Sequence, residues 1–238
     1  MQINFPNVDL SLSGVHHFLI YTSFQGDEYS DNDSLDVYIY QANNTVGDIT
    51  DLQVSATYDT VVINNNLTEF RILFYTDDIF RIWMTPNGIF EDPAGPDIVI
   101  YEDPPIQVQV ADEGEYYKIF SDNTVLRAYK TPLTFAMYEG DNATLVWEAT
   151  APITFGEETR HYLDRGDTEH FYGCGMQNGY FSHRGESTDI RLIISRWHDG
   201  AVPGLSPSYM STAGYAVHWN TLTLGNSNFS RPLHSLHG

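Results

Sequence analysis

Between Phe171 and Gly185 the chain reads FYGCGMQNGYFSHRG, a glycine-rich stretch that sets an amide pair and several aromatics beside a His-Arg pair. Side chains of these types can hold a polyhydroxylated ring. Tyr180 and Phe181 offer flat apolar faces to stack on a pyranose, while Gln177, Asn178, His183 and Arg184 can bond its hydroxyls. The same residues fit a hairpin whose glycines serve the backbone and whose aromatics enter the core, and composition alone favours that plainer reading. A second cluster, Arg196-Trp197-His198-Asp199-Gly200, precedes PGLSPSYMSTAGYAVHWNT. The Asp199 carboxylate can accept hydrogen bonds from a sugar or cap a turn before Gly200, and the residue types leave both open.

Other chemistries have less to stand on. Glycoside hydrolysis needs two carboxylates, but among 32 Asp and Glu a pair such as Glu157-Glu158, or one drawn from Asp164, Asp167 and Glu169, carries no weight. Nine histidines show neither HExxH nor His-x-His spacing, so no metal is expected. GxGxxG, GxxxxGK[ST] and GxSxG are all absent, which removes the usual signs of a nucleotide cofactor or a serine nucleophile. A formal charge of -21 repels phosphate backbones, so nucleic acid is an unsuitable partner. The single cysteine, Cys174, rules out an intrachain disulfide and reads as a small buried side chain. No basic, then apolar leader and no run of about 18 apolar residues marks secretion or a membrane span.

The elements that must position these clusters are strands. Apolar or alternating runs recur between turn signals: VHHFLIYTSF, SLDVYIYQA, LQVSATYDTVVI, TEFRILFYTDDIFRIWMT, DIVIYE, IQVQVAD, YYKIFS, TVLRAYK, LTFAMYEG and TLVWEAT. Thr85-Pro86-Asn87-Gly88, Ser121-Asp122-Asn123 and Glu139-Gly140-Asp141-Asn142 suit tight turns, so successive strands should run antiparallel. No segment sustains a helical period and no fixed repeat appears. The expectation is an all-β, mostly antiparallel two-sheet sandwich over residues 1–222, with Trp83 buried in its most apolar run. Strand patterning should give way to loops after about Phe155, and residues 223–238 should form an irregular tail.

Three stretches read in order resemble the amino-terminal region of glycoside hydrolase family 31: FRIWMTPNGIFEDPAG, YYKIFSDNTVLRAYKTPLTFAMYEGD, and FYGCGMQNGYFSHRG followed by WHDG, PSYMSTAGYAV and Asn220. The resemblance implies a galactose-mutarotase-like β-sandwich that precedes a (β/α)8 barrel, and the barrel carries both catalytic aspartates. No catalytic residue is therefore assigned within these 238 residues. Asp199 matches an aspartate that helps bind the sugar beyond the cleaved bond, flanked here by Trp197 and His198, with the Gln177–Arg184 loop nearby. The wording MQNGYFSHR is closer to the α-glucan lyase and isomaltosyl-transferase branches than to plain α-glucosidases. The implied partners are an α-glucan or α-glucoside oligosaccharide and the barrel itself, against which the sandwich should present apolar surface. Cys174 stands where a glycine is expected, and the end of the chain departs from the family's run, as at a truncation before the barrel. Two other readings stay open: a stand-alone carbohydrate-binding module, and a mutarotase-like enzyme using His183 and Glu186 as acid and base.

Overall fold

The computed structural model describes residues 14–21, 34–41, 44–65, 67–86, 89–90, 105–156, 158–176, 180–190, 204–220, 225–230 and 233–237. Nineteen strands and no helix occur among them: β1 (Gly14–Tyr21), β2 (Ser34–Gln41), β3 (Asn44–Thr45), β4 (Asp51–Val54), β5 (Thr60–Asn64), β6 (Glu69–Phe74), β7 (Phe80–Thr85), β8 (Gln109–Asp112), β9 (Tyr116–Phe120), β10 (Thr124–Lys130), β11 (Leu133–Glu139), β12 (Leu145–Phe155), β13 (Arg160–Asp164), β14 (Phe171–Met176), β15 (Ser187–Ile190), β16 (Gly204–Ser211), β17 (Ala216–His218), β18 (Gly225–Asn228) and β19 (Leu233–His237). Every pairing between them is antiparallel.

The protein is all-β, and its core lies between two sheets. One runs β4-β5-β6-β7 and the other β15-β18-β19-β13-β12-β11-β10-β9-β8, with β3 also paired to β12. Strict alternation explains the contact. In β6, Phe70, Ile72 and Phe74 are sealed while Arg71 and Leu73 are half-buried, as a period of two requires. Across the gap Leu126 and Ala128 of β10 and Phe135 of β11 are equally sealed, and the Phe70 and Phe135 rings meet at 5.7 Å. Two of the turns hold where their residues suggest, while Asn87 and Gly88 of the third lie outside the described residues. Ser121 N bonds Thr124 O at 3.0 Å, and Asp141 Oδ1 accepts from the backbone N–H of Ala143 and Thr144 at 2.8 and 2.9 Å. These two turns pack together so closely that a Cβ on Gly140 would stand 2.4 Å from the Asp122 carbonyl oxygen.

Three expectations need correcting. First, loops do not take over after Phe155: β13, β14 and β15 follow, and β14 joins β16 and β17 in a further three-stranded sheet. Second, residues 225–228 and 233–237, expected in an irregular tail, are strands inside the large sheet, where β18 pairs with β15 and β19 pairs with both β18 and β13. Their polar lettering, STDI against GNSN, hides strands defined by backbone ladders and not by apolar alternation. Third, Trp83 is only half-buried. It lies on β7, the edge strand of its sheet, between the Phe90 ring at 5.3 Å and the Arg81 guanidinium at 3.8 Å. The run DIVIYE lies outside the described residues.

Candidate functional site

The glycine-rich stretch becomes β14, and its glycines do backbone work. Gly173, Cys174 and Gly175 have φ of 119°, 57° and 86°, three successive positive values where the ladder with β16 slips. Register passes from Gly173↔Tyr209 to Gly175↔Leu205, so the β16 side carries the longer stretch across the bulge. A positive φ is why glycine suits position 174. Cys174 occupies it fully buried, and burial pushes its thiol up to about 11 although a hydrogen bond from Ser227 opposes the shift.

Downstream, residues 180–186 fold back over β14. His183 N donates to Phe171 O at 2.9 Å and Gly185 N to Phe229 O at 3.0 Å, while Phe229 N donates to Glu186 O at 2.8 Å. The His183 ring is buried, with Nε2 3.1 Å from the Gly173 carbonyl and its face stacked on Phe229 at 5.8 Å. Arg184 donates to the carbonyls of Gly166, Asp167 and Glu169 and so ties down the 165–170 turn. Glu169 is buried beneath that turn, accepting from Gly166 N at 2.8 Å and from the Ser211 hydroxyl.

These contacts bear on the sequence-based site. His183 Nε2 and the Arg184 guanidinium meet backbone carbonyls of the domain itself. His183 is buried against its own strand, whereas Glu186 is exposed. Tyr180 and Phe181 differ: they are 76% and 87% exposed, and Phe181 meets the Tyr172 ring at 5.0 Å, which makes an aromatic platform on the surface. Gln177, Asn178, Trp197, His198 and Asp199 lie outside the described residues.

Tyr172 also belongs to a broad cleft of about 2570 Å³. Its lining includes Trp83 of β7, Trp147 of β12, His161 of β13, Ser208 and Met210 of β16, and His218 of β17. Ile79, Ile89 and Met210 are each more than half exposed there, at 59%, 60% and 58%. No motif announced the cleft, because its residues come from many separate stretches that only strand pairing brings together.

His161 makes the cleft pH-sensitive. Its ring meets Trp147 edge-on at 5.9 Å, and its buried Nε2 has no hydrogen-bond partner. Burial lowers its pKa from 6.5 to about 4. On acidification the unfolded chain takes up this proton first, so the stability held above pH 6.5 drains away as the pH falls towards 4. The loss should be about 2 kcal/mol, less than a sealed ring would give because part of this one meets solvent. Urea midpoints at about pH 7 and about pH 4.5 should therefore fall further for the native chain than for His161→Phe. Equal falls in the two proteins would exclude this role.

Comparison with known proteins places this architecture. Residues 69–225 match the sequence profile of the glycosyl hydrolase 31 N-terminal galactose mutarotase-like domain. The GH31 dextranase of Flavobacterium johnsoniae, solved with isomaltotriose, superposes with a TM-score of 0.73 at 19% identity, over 82% of this chain and 25% of its own. The cycloalternan-forming enzyme of Listeria monocytogenes, solved with a pentasaccharide substrate, gives a TM-score of 0.68 at 15% identity, over 87% and 21%. Alpha-glucosidase 2 of Bacillus thermoamyloliquefaciens is 26% identical over 120 residues, which is 49% of this chain and 15% of that protein. The chain thus spans a quarter or less of these relatives. The profile covers well over half of the chain and the fold agrees with it, so the protein belongs to the N-terminal, galactose-mutarotase-like domains of glycoside hydrolase family 31.

Proposed function

We propose that this domain supports a (β/α)8 catalytic barrel of an α-glucoside-active enzyme and forms one lip of its sugar site. The observation that carries the reading is the match of residues 69–225 to the N-terminal domain of a family whose named members here are several times longer. The β7 side of the cleft, where Ile79 and Ile89 are more than half exposed, supplies a docking face, since interdomain contacts bury surface of this mixed apolar kind. Tyr180 and Phe181 supply the ring-stacking part of the lip. Asp199, with Trp197 and His198, supplies the carboxylate expected from WHDG, and Gln177 and Asn178 add amides. An ionised carboxylate bonded to two sugar hydroxyls gains more than a neutral acceptor would. The ligand class is an α-glucan or α-glucoside oligosaccharide.

Hydrolysis itself needs a carboxylic acid to protonate the leaving oxygen and a second carboxylate at the anomeric carbon. The resemblance assigns both to the barrel, and Glu169, the buried carboxylate among the described residues, is engaged by its own turn. Purified 238-residue protein should accordingly release no glucose from maltose or nitrophenyl α-glucoside above the buffer rate. Coding sequence continuing into an aspartate-bearing barrel would support the reading further. Turnover that survives repurification and follows the 27.0 kDa protein would overturn it.

The exposed Tyr180-Phe181 platform favours one second reading, a carbohydrate-binding module acting by itself. That reading requires glucan affinity from the isolated chain and no barrel in the adjoining frame.

A further inference from the structure

On β16 alternate residues face opposite ways. Tyr209 and Ser211 are buried towards the core, while Ser206, Ser208 and Met210 face the cleft. Register sets Ser208 opposite His218, and Met210 opposite both Ala216 and Tyr172. A polar row and an apolar row therefore lie side by side on one surface.

The polar row is ordered. Ser206 Oγ donates to Ser208 Oγ at 3.0 Å, and Ser208 Oγ lies 2.7 Å from Nδ1 of His218, a pair in which either atom can be the donor. A neutral imidazole that accepts at Nδ1 carries its own proton at Nε2. Partial burial lowers the His218 pKa below its ordinary 6.5, which keeps the ring neutral at physiological pH. With Ser208 as the donor the ring keeps its N–H at Nε2 on the cleft, and among the described residues no protein atom takes it. The adjoining row supplies apolar area: Met210 is 58% exposed, and Tyr172 continues into Phe181 at 5.0 Å.

We propose that the Ser206-Ser208-His218 relay and the strip of Met210, Tyr172 and Phe181 form a saccharide subsite. His218 Nε2–H donates to a hydroxyl oxygen of a neutral hexose whose apolar face lies on the strip. Charge selects the class of ligand: a chain of net charge -21 repels anions, and a fixed N–H donor offers nothing to a cation. What remains is a neutral, acceptor-bearing molecule with an apolar face, which describes a pyranose. The inference rests on the carbohydrate reading above and adds residues that neither sequence cluster contains.

The test is NMR on the intact chain labelled with ¹⁵N-histidine, titrated with maltotriose. Two-bond ¹H–¹⁵N correlations should show His218 as the Nε2–H tautomer at about pH 7, with its Nε2 signal moving as the sugar saturates. His218→Ala should weaken binding about tenfold, the worth of one neutral hydrogen bond. His218→Gln keeps an amide donor at the same reach and should stay within about threefold of the native chain. Ser208→Ala leaves the ring in place but unlocks its tautomer, so it should both weaken binding and draw the two His218 ring-nitrogen shifts towards their average. A protonated or Nδ1–H ring at that pH, sugar-induced shifts that bypass His218, or no maltotriose binding at all would each overturn the subsite. None of those outcomes touches the accessory-domain reading, which stands or falls on glucose release by the purified chain.

Discussion

Phe229→Ala will cost the domain about 3–5 kcal/mol of stability, the range for truncating a sealed aromatic side chain. Phe229 is fully buried, and its ring lies 4.8 Å from Phe171, 5.3 Å from Tyr209 and 5.8 Å from His183. Its backbone is engaged as well, for its carbonyl accepts from Arg165 Nη1 at 2.6 Å and from Gly185 N at 3.0 Å. Those neighbours come from β14, the loop after it, β16 and the turn after β13, so a void at Phe229 removes contacts from every element that carries the platform. The ring cannot be replaced by water, because the surrounding groups are apolar. Guanidinium denaturation should show the midpoint falling with little change in slope. Phe181→Ala, at a residue 87% exposed, should move the midpoint by no more than about 0.5 kcal/mol. A Phe229 variant within about 1 kcal/mol of the native chain would mean that residues 225–230 lie outside the cooperative unit.

Gly173→Ala tests the bulge and should rank second. An added Cβ would stand 2.8 Å from the Ser208 carbonyl oxygen and 3.0 Å from the Tyr209 Cα, both backbone atoms that cannot swing aside. The residue also sits at a φ of 119°, which strains any L-side chain. Backbone strain alone is worth about 1–3 kcal/mol, and separating β14 from β16 adds to it. Gly214→Ala is the control that divides the two causes. Its φ of 91° is also unfavourable, yet a Cβ there meets nothing within 4 Å. That variant should lose about 1 kcal/mol, from conformation only. If the two variants proved equally stable, the close approach of β14 to β16 would carry no energetic weight.

Much of the first half of the molecule was legible because its strands follow the rule that reveals strands. TEFRILF alternates, TVLRAYK is rich in β-favouring apolar residues, and turn residues separate the runs, so strand and direction follow from side-chain type. The second half obeys a different constraint. GNSN is a strand because Asn226, Ser227 and Asn228 find partners on both sides, in β15 and β19, and nothing in four small polar residues announces those partners. The candidate site was less legible. Composition favoured a hairpin with its aromatics in the core, and only the fold shows Tyr180 and Phe181 exposed. The contacts of His183 and Arg184 were equally open, because a histidine or arginine suited to a ligand hydroxyl suits a backbone carbonyl equally well. Only the fold shows that Gly173 and the 165–170 turn supply those carbonyls.

The order β15-β18-β19-β13 sets a timetable for the nascent chain. β13 leaves the ribosome about 70 residues before its partner β19, an interval of roughly 4–15 s at common rates of synthesis. Until then β13 offers an unpaired ladder edge, and when β15 emerges it offers another. The sheet is completed by insertion, with late strands filling a gap between two earlier ones, instead of by extension from a finished edge. Closing it requires contacts far apart in sequence, which form slowly. Chains halted inside that interval would carry two open edges and the aromatic cluster without Phe229. They are the species most prone to join one another through their edges, whatever charge the finished surface bears.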